Sequence, residues 1–252
     1  MQPLLYCPAL GLCLVLTGGW AHALLCIAAM LCLQLAVGAP FLMTNPGAYL
    51  ARAFGGPGDL QHAWSVNWRF LPEDIFQKRS FTVGLQVMNV FLLAWFAQTR
   101  WIPGGFLSRS IRRWTTTGLL DDSTVIAMWF TCNFVGVACL RTVHFQFLVW
   151  YFHSIPFLAW YALQPDRHKG WPWVLRCILV VAITLGVELP YLITGHGLVR
   201  GPDGRQWESP GVPKASGSLL LQAVHWLLLL LLALRCSGSQ AAEAQVEKSK
   251  VS

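Results

Sequence analysis

The chain has 252 residues, of which 55% are hydrophobic and 12% charged, with a mean hydropathy of +0.51. That charged fraction is about half that of a soluble domain, so a water-soluble globular protein is excluded as the default and several membrane spans are expected. The net charge of +7 is scattered through loops without an aromatic-interleaved basic patch, which argues against nucleic acid and for anionic lipid headgroups.

A span needs roughly 20 apolar residues. In chain order the candidates are Leu4–Thr17 (short), Ala21–Met43, Phe81–Gln98, Thr124–Leu140, Val143–Leu163, Trp171–Thr194 and Ser218–Arg235. These predict an all-α, multi-span bundle of six or seven spans over residues 1–235, followed by a cytosolic disordered tail over 236–252. Met1-Gln-Pro3 runs directly into apolar sequence with neither a basic n-region nor a small-residue cleavage site. That is no signal peptide, and it reads as a chain starting partway through a longer protein.

Gly18-Gly19-Trp20 predicts a tight turn between the first two spans, and Gly38-Ala-Pro40 with Asn45-Pro-Gly47 an end to the second. The Thr44–Ser80 loop holds a Gly56–Gly58 hinge and the aromatic run Trp64–Phe76, and reads as a compact layer lying on the membrane with a short interfacial helix. Glu73 and Asp74 are adjacent, so on a helix they point apart and suit a solvated helix start. Thr99–Ser123 carries Arg100, Arg109, Arg112 and Arg113 and closes on Asp121-Asp122-Ser123, an N-cap for the next span. The Gln164–Gly170 connection is short and basic, and His196–Gly217, polar with glycines and prolines, is predicted to be irregular. Trp20, Trp101, Trp160 and Trp171 stand near span ends, as in an aromatic belt. Seven of the eight cysteines lie in apolar spans without a CxxC pair, and read as packed thiols. His22, His62, His168, His196 and His225 show no ligand spacing, so a metal site has little support and none is expected.

If Thr99–Ser123, Gln164–Gly170 and the tail share one side, that side holds ten Lys/Arg, counting Arg176 and Arg235, against eight on the other. The positive-inside rule then makes it cytosolic. The ending Lys248-Ser-Lys-Val-Ser252 resembles a dilysine retrieval signal, which agrees. The Thr44–Ser80 loop, the Leu140–Phe145 connection and the His196–Gly217 loop then collect on the lumenal side.

Polar chemistry concentrates in Val143–Leu163, where His144, Gln146, Tyr151 and His153 stand among aromatics. As a helix, this segment puts His144 and Tyr151 on one face near Arg141, and Gln146, Trp150 and His153 on a roughly opposite one. Polar groups at membrane depth are costly unless sheltered, so the segment reads as the wall of a buried pocket. A guanidinium fork at Arg141 and an imidazole at His144 suit a lipid phosphate at headgroup level. The bland alternative is an arginine snorkelling to water and a histidine bonded to a backbone carbonyl. Trp64, Asn67, Trp68 and Arg69 combine flat apolar faces with donors and suit a sugar or headgroup, or equally an amphipathic anchor. Glu188 reads either as a counter-ion for Arg141 or as part of a pocket.

Three ordered blocks, Ser65-Val-Asn-Trp-Arg-Phe-Leu-Pro-Glu73, Phe130-Thr-Cys-Asn-Phe-Val-Gly136 and His144–Pro156, together with Val37–Pro46, closely resemble the dolichyl-phosphate-mannose-dependent alpha-1,3-mannosyltransferases of N-glycan assembly. The resemblance covers most of residues 1–163. It implies a multi-span GT-C glycosyltransferase of the endoplasmic reticulum membrane that needs no cofactor. Its substrates would be dolichyl phosphate mannose and a five-mannose dolichyl-diphosphate oligosaccharide, joined by inverting displacement in the lumen. On that reading Arg141, His144 and Gln146 hold the donor phosphate, Tyr151, His153 and Glu188 line the pocket, and Asn67, Trp68 and Arg69 face the acceptor. The family's carboxylate base belongs to an amino-terminal lumenal loop with no counterpart here. The chain is therefore expected to be a carboxyl-terminal part, inactive alone. The rivals are a polyprenyl-lipid transporter, against which the absence of internal repeats counts, and a truncated isoform acting as a scaffold.

Overall fold

The computed structural model describes residues 2–54, 62–102, 122–164, 172–200 and 205–235. The Gly56–Gly58 hinge, Arg109, Arg112 and Arg113, most of the Gln164–Gly170 connection, Trp171 and the 236–252 tail lie outside the described residues.

Among the described residues, five helices are long and apolar enough to cross a membrane. The first, α1 (Cys7–Thr44), follows a 3₁₀ turn and is interrupted only at Gly19, whose φ of 76° and ψ of 178° are essentially confined to glycine. The expected break is therefore present, as a kink rather than a loop. Gly38 and Pro40 do not end the helix, contrary to expectation; it stops at Asn45, whose side-chain Oδ1 accepts from Ala48 N (3.0 Å) and so caps α2 (Pro46–Phe54). After the short α3 (Glu73–Gln77), α4 (Arg79–Phe96) runs on through a π turn to Trp101.

Helix α5 (Asp122–Cys139) is the centre of the bundle, with Thr131–Cys139 buried on every side. The start of the chain packs along it: Cys132 Sγ lies 3.2 Å from Leu5 O, and Trp129 Nε1 donates to Cys13 Sγ (3.3 Å). Helices α7 (Trp173–Leu192) and α8 (Ala215–Leu234) pair side by side. A Cβ on Gly186 would come within 3.0 Å of Val224, so glycine sets how closely the two approach.

Val143–Leu163 is not the predicted continuous helix. It forms 3₁₀ segments at Phe145–Trp150 and Phe152–Ser154, then α6 (Ile155–Ala162). It still traverses the bundle, from Leu140 beside Asn67 to Gln164 beside Arg235. Nine 3₁₀ and eight α residues extend about 30 Å, enough for the hydrocarbon layer. Irregular backbone at that depth is tolerated only against protein or water. Here Asn133 on α5 donates to Trp150 O (2.9 Å), a carbonyl at the end of the first 3₁₀ segment. Because the turns are 3₁₀, the inferred helical faces do not exist.

The region predicted as irregular instead holds an antiparallel hairpin, β1 (Thr194–Arg200) with β2 (Gln206–Pro213), with a bulge between Gly195 and Gly197. Its glycines and prolines disfavour strands locally. Burial of Val199 and Val212, with the hairpin set against the His62–Trp64 turn, compensates. Trp20 is exposed as a belt residue should be, whereas Trp101 is buried and stacked on Phe96.

Candidate functional site

The residues 62–71 are docked onto the carboxyl end of α5, where the last helical carbonyls need donors. Asn67 Nδ2 donates to Val137 O (3.1 Å) and Leu140 O (2.9 Å), and Trp68 Nε1 to Leu140 O (3.2 Å). On its other side Asn67 Oδ1 accepts from Gln222 Nε2 (3.1 Å), and Gln222 Oε1 accepts from Trp226 Nε1 (3.1 Å). Asn67 is thus fully buried with its amide bonded inside the protein. Trp68 takes a left-handed backbone, φ 55°, which turns the chain over the helix end. Backbone bonds continue the seam: Val66 N donates to Val143 O (2.7 Å), and Arg69 N to Ser218 Oγ (2.8 Å). The three segments expected to share one end of the bundle do so.

Two arginines converge at this end. Arg69 Nη1 donates to His62 Nδ1 (2.8 Å), and the His62 ring packs on Phe76 (centroids 4.7 Å apart). The Arg141 guanidinium lies over the same Phe76 ring, 5.6 Å from its centroid. The Nε of each arginine is buried without a partner. The Nη2 of Arg69 and both Nη atoms of Arg141 are neither bonded inside the protein nor shut in. Among the described residues no ion pair joins either arginine to a carboxylate, Glu188 included; the one ion pair there is the exposed Lys78–Asp74 contact at 3.9 Å. Glu73 attracts Arg69 only at longer range. Burial lowers the proton affinity of both guanidiniums. Burial, and then the Arg69 charge, hold His62 below the usual histidine range, so it stays neutral and accepts the arginine's proton. A pair of forked donors, partly desolvated and without counter-ions among the described residues, is arranged to take an anion.

His144 sits beside this pair with its Nδ1 2.9 Å from Trp64 O. A carbonyl accepts only, so Nδ1 carries the proton and a neutral ring leaves Nε2 as an acceptor. The histidine is therefore bonded to a backbone carbonyl, the blander of its two expected settings. Gln146 and His153 are exposed rather than walls of a buried pocket, as is Val149 between them. Glu188 is half-buried on α7.

Tyr151 is fully buried, but toward other partners than expected. Its hydroxyl lies 3.0 Å from Tyr191 Oη and 3.1 Å from His225 Nε2, linking the break between the 3₁₀ segments to α7 and α8. Neither Tyr191 nor His225 was singled out from sequence. A signal existed: Ser218, Gln222 and His225 are spaced i, i+4, i+7, a polar stripe down an apolar span. His62, too, carries no sequence signal beyond its lack of metal-ligand spacing.

At the opposite end, Arg100 donates to the carbonyls of Ala233 and Arg235, Arg235 stacks on Tyr161 and donates to Gln164 Oε1 (2.9 Å), and Arg176 stacks on Trp160.

The chain matches the family model described as ALG3 protein over residues 1–189. It is 38% identical over 196 residues to the mouse "Dol-P-Man:Man(5)GlcNAc(2)-PP-Dol alpha-1,3-mannosyltransferase", covering 76% of this chain and 43% of that protein. The human protein of the same name is 37% identical, with 76% and 43% covered. The Arabidopsis thaliana one is 31% identical, with 91% and 50% covered. The chain thus spans about half the length of the curated relatives it matches. No solved structure matches it.

Proposed function

Since the chain belongs to the ALG3 family and is a multi-pass membrane protein, we propose that it acts in the reaction its relatives are named for. In that reaction mannose passes from dolichyl phosphate mannose to the five-mannose dolichyl-diphosphate oligosaccharide in alpha-1,3 linkage. The observation that supports this is the Arg69–His62–Phe76–Arg141 cluster: two guanidiniums on one aromatic pair, with open Nη edges and no carboxylate paired to them. Dolichyl phosphate leaves the donor with an added negative charge, and preoriented donors at that oxygen lower the barrier by favouring the charge as it develops. Arg141 and Arg69 grip the phosphate, and His144 stands at its flank. Trp68 and Arg69 border the acceptor, with Asn67 holding them from beneath. Tyr151 and Glu188 belong to the walls. The proton-accepting carboxylate is not assigned to any residue of this chain.

The endoplasmic reticulum membrane is the proposed location, with the Arg69/Arg141 end lumenal and the carboxyl terminus cytosolic. The gathering of Arg100, Arg176 and Arg235 at the other end supports that orientation.

Binding tests this without depending on turnover. The purified chain is titrated with a short-chain polyprenyl phosphate and followed by native mass spectrometry. Arg141→Ala and Arg69→Ala each weaken binding about tenfold, the loss of one charge-assisted bond, whereas Arg205→Ala on the hairpin leaves it unchanged. In a complete enzyme carrying these positions, Arg141→Ala raises the donor's KM or lowers kcat. Wild-type affinity in both arginine variants would remove the cluster from the donor site.

A further inference from the structure

The arginine of α7's first turn has no role in the reaction above. Arg176 is only 9% exposed, at the end of the bundle opposite Arg69 and Arg141, with its guanidinium carbon 4.0 Å from the centre of the Trp160 ring. Its Nε is buried without a partner, its two Nη atoms are not shut in, and among the described residues no hydrogen bond or ion pair engages its guanidinium. Its neighbours are committed: Arg100 caps the carbonyls at the end of α8, and Arg235 lies on Tyr161. The charge sits within the amino-terminal turn of a 20-residue helix whose cap, Pro172, offers no side-chain bond. Helix dipole and guanidinium are both positive there, so they repel rather than offset each other. A nearly buried cation stacked on one ring, with no counter-ion among the described residues, is costly as it stands.

We propose that Arg176, in its Trp160 seat, binds the phosphate of an anionic phospholipid headgroup in the leaflet at that end of the bundle. The planar fork offers Nη donors in the bidentate geometry that phosphate takes, and the indole holds the fork in place. Arg100 and Arg235 make the surrounding end electropositive, and a basic pocket between spans is where such headgroups settle. This site is separate from the proposed donor site and stands whether or not the chain transfers mannose.

The test titrates the purified chain with short-tailed phosphatidylserine, phosphatidylcholine of the same tails, and inorganic phosphate, counting bound ligand by native mass spectrometry. Phosphatidylserine is expected to bind the wild type about tenfold more tightly than Arg176→Gln, with phosphatidylcholine and inorganic phosphate failing to distinguish the two. Arg176→Lys keeps the charge but loses the fork, and is expected to lose most of that preference; it carries the test if Arg176→Gln does not fold. Arg205→Gln controls for general charge. Equal phosphatidylserine binding by wild type and the Arg176 variants overturns the site, as does an equal loss in Arg205→Gln. Inorganic phosphate binding as tightly as phosphatidylserine overturns the lipid as its source.

Discussion

Replacing Asn67 probes the joint on which the site rests. Asn67→Ala removes two donated bonds and one accepted bond, all within the interior. The two carbonyls it serves are not left bare, because Val137 O keeps Leu140 N (3.1 Å) and Leu140 O keeps Trp68 Nε1 (3.2 Å). Gln222 Nε2 fares worse, since its acceptor disappears and a buried donor without a partner costs about 1–3 kcal/mol. With about 1 kcal/mol for each lost donated bond, the total is about 3–5 kcal/mol. Asn67→Asp, nearly the same shape, should be the more damaging change. It sets a carboxylate oxygen against two carbonyl oxygens in a buried place. Removing Gln222 as well takes away the stranded donor, so Asn67→Ala with Gln222→Ala costs less than the sum by about 1 kcal/mol. Reversible unfolding in mixed micelles, titrated with a denaturing detergent, measures wild type, both Asn67 variants, Gln222→Ala and the double variant. Asn67→Ala within about 0.5 kcal/mol of wild type, or Asn67→Asp more stable than Asn67→Ala, would refute the idea that this amide holds the loop to α5.

Two further outcomes follow from the same contacts. The proton affinity of His62 is lowered by burial and by Arg69, so its neutral form is the one the fold favours. That stabilisation is complete above the ordinary histidine value of about 6.5 and is lost as pH falls from there through the lowered value. Thermal denaturation across that window shows the loss in wild type, while His62→Asn, which keeps an acceptor near the Nδ1 position but cannot titrate, shows less of it; parallel curves would remove His62 as the cause. In the interior, Tyr151, Tyr191 and neutral His225 bring three protons to two bonds, leaving one donor over at one end or the other. Tyr191→Phe still leaves one, but Tyr151→Phe strands two, so Tyr151→Phe is expected to be the less stable by about 1 kcal/mol. An equal loss in the same unfolding assay argues against a single connected chain of bonds.

The all-helical, multi-span class was legible along the chain because a bilayer imposes it residue by residue: a span must be apolar for about 20 residues and must satisfy its own backbone. The kink at Gly19 was legible because glycine alone takes that backbone angle. Arg141 stood out as a cation at the edge of an apolar run. Its partners were invisible, since His62 and Arg69 are some 70 residues earlier and reach it only through Phe76. The Val143–Leu163 segment shows where local reading stops. Its residues have a helix's hydrophobicity, yet the backbone takes 3₁₀ turns around Tyr151, held by Asn133, Tyr191 and His225 from three other helices. Composition fixes which segments leave water, because that is a property of each residue with its solvent. Which polar groups meet inside depends on how separate segments pack, and only the tertiary structure decides that.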